Sequence, residues 1–598
     1  MCGLCGEICF DGSAPDLAAV SRMCDAMVPR GPDSVGAHQQ GPVALGHRRL
    51  SIIDLSVRGG QPMVDSDLGL SLVFNGCIYN YKQLREELIE RGYRFFSTAD
   101  SEVVLKGFHA WGSNCVDHFK GMFAFAVVDH ESGAVTLGRD RLGIKPLYLA
   151  EAPGRLRFAS SVQALLRAGD VDTTIDRVAL HHYLSFHSVV PAPHTIYNGI
   201  RKLPPATVRT IDAHGRTVEQ RRYWEPTFAP HPDRVDWSAT DWQRALIDSL
   251  RTAVARRMVA DVPVGVLLSG GIDSSLVVAL LAELGQRDLA TFSIGFDSAG
   301  GESGEEYAYS DLVAETFATA HHKIHIDSSR LLPAVPKTVA AMSEPMVSHD
   351  CVAFYLLSSE VSKSVKVVQS GQGADEILGG YDWYPPLQGV DRAQTTEAYA
   401  KVFFDRGHHD ITALLDPGYA LDYDPSWEFA RTHQSAPGAE SSVDAALRLD
   451  STVMLVDDPV KRVDNMTMAW GLEARVPFLD HEFVELAATC PPDLKLASGG
   501  KGVLKDASRS LLPAAIIDRT KGYFPVPGIR HLGGGVLDLV RDALSSASAR
   551  DRALYRPEAV EALLAAPNET RTTLGSNALW QVALLEMWLQ TMEGVRSG

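Results

Sequence analysis

The sequence predicts two units of different fold class. Residues 1–225 read as an α+β unit of packed antiparallel sheets with helices, and residues 241–598 as an α/β unit with a doubly wound parallel sheet and a helical C-terminal part. Three observations carry this prediction. Up to Tyr223, short apolar or alternating runs lie between turn residues, as antiparallel strands do. Pro226–Trp237 then holds three prolines, two aspartates and little apolar periodicity, which marks a linker over 226–240. Beyond it, strand-like and helix-like segments alternate, the pattern of parallel βαβ units.

The elements follow in order. In the first unit, strands are expected at 44–46, 70–74, 123–128, 134–138 and 157–159, with helical periodicity at 82–91 and 102–111. In the second, the strand-like run 262–268 leads into Ser269-Gly270-Gly271 and an apolar helix from about Ser274. Strand 289–296, helix 311–319, strand 323–326, helix 352–363 and strand 365–369 come next, and the chain reads as mostly helical from about Ser441. Ligands of such sheets bind at the carboxyl ends of the strands. Both glycine-rich loops of this unit, Ser269–Ser275 and Ser370–Glu376, are predicted there.

Composition excludes several classes of function. The 598 residues are 45% hydrophobic and 22% charged, ordinary globular values. With 56 basic and 74 acidic residues the formal charge is −18, which disfavours the phosphate backbone of nucleic acid as a partner. No apolar run approaches the 18 or so residues of a membrane span. The first residues show no signal-peptide pattern and only eight cysteines occur in the whole chain, so reduced thiols and a cytoplasmic setting are expected.

Cys2 follows the initiator methionine. Removal of Met1 would give one residue a thiol and a free α-amine, a nucleophile with its own base, because an α-amine has a pKa of about 8. Around it in sequence stand Arg30-Gly31-Pro32-Asp33, His47-Arg48-Arg49, Asn75-Gly76-Cys77-Ile78-Tyr79-Asn80 and Asp100-Ser101-Glu102. A thiolate attacking a side-chain amide needs an oxyanion hole, which Asn75 and the Gly76 N–H offer. Arg49 and Asp100 complement the α-carboxylate and α-ammonium of free glutamine. Cys5 and Cys9 are expected as core residues on a strand. The adjacent pairs His181-His182 and His321-His322 lack ligand spacing and are expected to be structural.

These motifs, five in order, resemble the class II glutamine amidotransferase domain of the N-terminal-nucleophile fold, an αββα sandwich, over residues 1–225. The resemblance implies Cys2 as nucleophile, Arg49 and Asp100 as glutamine ligands, and Asn75 with Gly76 at the oxyanion. Cys77 departs from the family pattern, which has glutamate there.

The loop Leu268-Ser269-Gly270-Gly271-Ile272-Asp273-Ser274-Ser275 follows a strand and opens a helix. Small residues let backbone N–H groups approach phosphate, and the helix N-terminus adds partial positive charge. Asp273 and Asp375 are two carboxylates at neighbouring strand ends, suited to Mg²⁺; the alternative is that each caps its helix. With Glu473-Ala474-Arg475-Val476-Pro477-Phe478-Leu479-Asp480, these features resemble the ATP-pyrophosphatase domain of glutamine-dependent asparagine synthetases. That resemblance spans nearly the whole chain. It implies that Ser269, Gly270, Gly271, Ser274 and Ser275 cradle pyrophosphate, with Ser370 and Gly371 beside them. It places Leu268 and Ile294 at the adenosine and Lys501 on the phosphate or the tetrahedral intermediate.

The implied reaction is ATP-dependent amidation of a carboxylate through an acyl-adenylate, with ammonia drawn from glutamine through a sheltered tunnel and with AMP and pyrophosphate released. A homodimer is a family expectation. The acceptor turns on Gln372, where asparagine synthetases carry an acid. Loss of that charge argues against an acceptor with a free α-ammonium. Cys77, Gln372 and the run Tyr183–Pro193 are similar to the N-acetylglutaminylglutamine amidotransferase subfamily, which implies an N-acylated dipeptide as acceptor. Aspartate, a secondary-metabolite carboxylate, and a non-catalytic scaffold are the alternatives. Intact Cys2, Asp273, Asp375 and Ser-Gly-Gly oppose the last.

Overall fold

The computed structural model describes residues 2–297, 307–519 and 531–597; Met1 lies outside them. The N-terminal half holds two six-stranded sheets. In the first, Gly3–Cys9 runs antiparallel between Val43–Arg49 and Arg155–Ala159. Ser34–Gln40 lies outside on one flank; Tyr148–Ala152 and then Arg201–Lys202 lie outside on the other. The second sheet runs Met63–Asp65, Leu70–Ile78, Gly121–Asp129, Val135–Arg139, Thr207–Ile211, Thr217–Arg222.

The period-2 alternation of Gly3–Cys9 sets the layering. Leu4 and Ile8 point between the sheets, where they meet Val73, Ala124, Leu137 and Phe158. Cys5 points the other way, against Val20 and Met23 of the helix Leu17–Ala26. Cys9 is also buried. Glu7, on the same face as Cys5, is neutralised by Arg157 at 2.5 Å. A one-residue slip would put Glu7 between the sheets and remove Leu4 and Ile8, each worth about 1.5–3 kcal/mol buried, so the register is fixed. On the outer face of the second sheet, Leu72, Phe74 and Phe125 pack with Val103 and Val104 of the helix Asp100–Trp111. The result is the αββα sandwich that the family resemblance implies.

The C-terminal half is built on five parallel strands in the order Ala320–Ile326, Ala290–Phe296, Val264–Leu267, Val367–Gln369, Glu473–Arg475. Helices Ile272–Glu283, Tyr307–Phe317 and Asp350–Val361 connect or cover them. After Ser441 the chain is mostly helical, as expected, and adds one edge strand, Glu473–Arg475. Three residues with a charge at each end carry no alternation to read. The long helix before it is also irregular: Asp450–Met454 and Val456–Val460 are π-helical, with Pro459 inside, before Lys461–Met468 resumes α geometry. Such bulges gather at functional sites. Among the described residues no helix is long and apolar enough to cross a membrane.

Candidate active sites

Two cavities occupy the places where the motifs converge. The first, of about 30 Å³, lies at the start of the Gly3–Cys9 strand and is lined by Cys2, Arg49, Gly76, Cys77, Asp100, Glu473 and Arg475 among others. Here Cys2 is buried and its main-chain nitrogen donates to Asn75 Oδ1 at 3.0 Å. Burial pushes its thiol up, against the pull of the chain's amino-terminal charge, the Leu50 N–H and Arg49. Asn75 is fully buried and its Nδ2 faces Ser160 Oγ at 3.4 Å. Gly76 is obligatory, because a Cβ there would lie 2.2 Å from Met122 O.

Asp100 opens its helix and accepts the Ile78 N–H at 3.0 Å, yet burial pushes its carboxyl up to about 6. Arg49 lines the cavity while its guanidinium donates to Ser56 O at 2.8 Å, Ile53 O at 3.3 Å and Asp54 O. Those bonds use three of its five N–H groups and fix the loop 53–56, leaving Arg49 both a wall and a clamp.

Sequence reasoning missed the two residues that close this cavity from the other half of the chain. Glu473 and Arg475 are buried and paired at 2.5 Å. Burial would raise the Glu473 carboxyl, but the amino-terminal charge and Arg475 outweigh it and draw it down to about 2. Arg475 also approaches Cys77 Sγ at 3.7 Å. Two charges inside an otherwise apolar run, Glu473–Leu479, were the available signal. Buried ionic groups survive only with partners. A second link runs through Arg30, whose Nε donates to Cys2 O at 3.4 Å and whose Nη1 pairs with Asp464 at 2.9 Å. Asp464 also takes Lys145 at 3.1 Å.

The second cavity, of about 590 Å³, sits at the carboxyl ends of the parallel strands. Its walls include Leu268, Ser269, Gly271, Asp273, Ser274, Ile294, Ser370, Gly371, Gln372, Asp375 and Lys501. Ser274 Oγ takes the Ser269 N–H at 3.2 Å and lies 3.0 Å from Ser269 Oγ, shaping the turn. Gly270 has φ +72°, and a Cβ there would lie 2.6 Å from Tyr309. Gly371 packs its loop onto the first, since its Cβ would lie 2.8 Å from the Ser274 nitrogen. Gly270 and Ser275 are not on the cavity wall. The Ser275 N–H is already bonded to Gly271 O in the first helical turn, and its side chain is fully buried.

Asp273 and Asp375 converge on one ammonium. Lys501 Nζ lies 2.8 Å from Asp273 and 3.0 Å from Asp375. The capping alternative does not hold: Gly271 and Gly373 take the cap positions, and neither helix has a side-chain cap bond. Lys501 itself has φ +55° and follows Gly499 and Gly500, both with positive φ. A left-handed lysine is strained, and such strain collects at functional sites. The two carboxylates offer hard oxygen donors that would fit a divalent cation accompanying a polyphosphate once Lys501 Nζ, which bridges them here, turns to the phosphate. Arg462, two residues before Asp464, lines this cavity. The helix Lys461–Met468 thus reaches the Cys2 end through Asp464 and the large cavity through Arg462.

Known proteins resemble both halves. A glutamine amidotransferase domain matches residues 1–224, and an asparagine synthase domain matches residues 245–590. Asparagine synthetase (glutamine-hydrolyzing) 3 of Bacillus subtilis is 30% identical, over 88% of this chain and 87% of its own. Asparagine synthetase (glutamine-hydrolyzing) 1 of the same organism is 32% identical, over 86% and 84%. Asparagine synthetase B of Escherichia coli is 28% identical, over 88% and 82%.

Proposed function

The chain belongs to the family of glutamine-dependent asparagine synthetases and is a glutamine-hydrolysing, amide-forming ligase that uses ATP; from that premise we propose that its acceptor is the terminal carboxylate of an N-acylated dipeptide, as in N-acetylglutaminylglutamine. The observation that carries the acceptor is Gln372 on the wall of the large cavity. A neutral amide stands where a carboxylate would pair with a free α-ammonium, and it suits the peptide and acyl amides of a blocked substrate.

Residues 1–225 act as the glutaminase unit and residues 241–598 as the synthetase unit. Once Met1 is removed, the Cys2 α-amine keeps its bond to Asn75 Oδ1 and accepts the thiol proton. Cys2 Sγ then attacks the glutamine side-chain carbonyl, with Asn75 and Gly76 at the oxyanion and Arg49 and Asp100 on the α-carboxylate and α-ammonium. Ammonia leaves with that proton, and water releases glutamate from the thioester. In the large cavity the acceptor carboxylate attacks the α-phosphorus of ATP, and pyrophosphate departs toward Ser269, Gly271, Ser274, Ser370 and Gly371. Leu268 and Ile294 hold the adenosine. Lys501 balances charge at the leaving group. Mg²⁺ held by Asp273 and Asp375 would offset the charge of the triphosphate. Ammonia arriving along the buried interface displaces AMP and leaves the amide.

A second reading, asparagine from aspartate, is favoured by Asp350 and Asp382, which also line the large cavity and offer partners for an α-ammonium. The two are separated by presenting purified enzyme, glutamine and ATP with a panel of carboxylates and measuring AMP and pyrophosphate. N-acetylglutaminylglutamine is expected to support turnover at least tenfold above aspartate. Aspartate-dependent AMP release with asparagine as product would replace our reading with the second.

A further inference from the structure

His181, expected from its spacing to be structural, stands at the centre of a group of metal-ligand side chains that neighbouring positions in the sequence do not reveal. Its helix, Arg177–Ser185, belongs to the N-terminal half. Its partners come from the C-terminal half: His408 at the start of the helix His408–Leu414, and Asp424 at the cap of the helix Pro425–Ser435. His181 Nε2 lies 3.0 Å from His408 Nδ1 and 3.8 Å from Asp424 Oδ1. The three donor atoms all fall within 4.8 Å of one another. Bonds of about 2.0–2.1 Å at tetrahedral angles around zinc place donor atoms about 3.3 Å apart, a spacing that the two measured distances bracket.

The surroundings prepare His181 to donate a lone pair at Nε2. Ser426 Oγ lies 2.8 Å from His181 Nδ1 and 3.0 Å from His182 Nδ1. One hydroxyl proton can serve only one of the two rings. With that proton on the His182 bond, the His181 Nδ1 carries its own hydrogen toward Ser426, and its Nε2 is bare. This is the arrangement by which a hydrogen-bonded second nitrogen orients a metal-binding imidazole. His181 is buried, while His408 and Asp424 are half-buried, so an ion has an approach from solvent and one coordination position for water.

We propose that His181, His408 and Asp424 bind a zinc ion that clamps the glutaminase half to the helical part of the synthetase half. This site is remote from both cavities in its residues and does not depend on the identity of the acceptor. The test uses the full chain, stripped with chelator, then dialysed against zinc and assayed for bound metal. Wild type is expected to hold one more equivalent than His408→Ala. Asp424→Asn keeps a good helix cap, and is expected to bind at least tenfold more weakly. Cobalt substitution should give a tetrahedral visible spectrum in the wild type that His408→Ala lacks. Zinc should raise the melting temperature of the wild type and leave that of His408→Ala unchanged; the metal-free melts show that each variant is folded. Equal zinc content, spectra and melting shifts in wild type and both variants would overturn the proposal and leave the residues as a hydrogen-bonded histidine pair.

Discussion

The two cavities are built on different plans. The small one, about 30 Å³, draws its walls from residues 2–101 and then from Glu473 and Arg475. The large one, about 590 Å³, is lined among the described residues by those between Leu267 and Arg519. The synthetase cavity is therefore complete within its own half, whereas the glutaminase cavity is closed by the other. The strand that closes it also touches the large cavity, because the Ser370 N–H, at the head of the second glycine-rich loop, bonds to Arg475 O at 2.8 Å. One three-residue strand carries its side chains to the small cavity and its backbone to the second glycine-rich loop of the large one. Coupling between the sites needs such shared rigid parts.

The largest effect tests whether the halves are separable at all. Cys2→Ala is expected to lower glutamine-dependent amide formation by at least about 10³-fold, since the proposed nucleophile is gone. Ammonia-dependent formation should stay within about twofold of wild type, because no wall of the large cavity has changed. Assaying AMP with glutamine and with ammonium salt reads both. Loss of the ammonia-dependent rate would mean that the large cavity is not self-sufficient.

Glu473→Gln reverses that logic by altering the glutaminase cavity from the synthetase half. The substitution leaves the buried Arg475 guanidinium without its anion, a loss of several kcal/mol when a buried pair is broken. We expect kcat/KM for glutamine to fall by about 10–100-fold. ATP–pyrophosphate exchange should stay within about threefold, if the Arg475 backbone keeps its bond to Ser370. An equal fall in both would show that the strand acts as one unit and that the asymmetry of the walls has no functional counterpart.

The same asymmetry explains what the sequence disclosed. Motifs contiguous in the chain were legible: Ser269-Gly270-Gly271 between a strand and a helix, Asn75-Gly76 at a strand end, Cys2 before an alternating run. Each is a local pattern with a local physical cause. Glu473, Arg475, Arg30 and Asp464 were not assigned to the sites, because their meaning lies in partners more than 300 positions distant, as in the pairing of Arg30 with Asp464 (|i−j| = 434). The contact of His181 with His408, 227 positions on, is hidden for the same reason, since its spacing to His182 says nothing of it. Asp273 and Asp375 are legible as carboxylates at adjacent strand ends, and both reach one ammonium. The lysine between them follows from a left-handed turn that no periodicity announces.

The smallest expected effect sharpens the picture of the small cavity as a site that recognises by buried charge. Asp100 sits there with its carboxyl pushed up by burial to about 6. In the proposed role, the ionised form is the one that pairs with the α-ammonium of glutamine. As pH falls through about 6 the free enzyme takes up a proton at Asp100 and loses that partner, so kcat/KM for glutamate release should drop about tenfold per pH unit below this point. Binding of glutamine brings a positive charge beside the carboxylate and pulls its pKa back down. The limb should therefore be displaced to lower pH in kcat, measured at saturating glutamine, than in kcat/KM. Asp100→Asn, which cannot ionise, should have a lower kcat/KM with no limb near pH 6. A limb that persists unchanged in Asp100→Asn belongs to another group, and recognition of the ammonium would then have to be assigned elsewhere in the cavity, with Glu473 the remaining carboxylate on its wall.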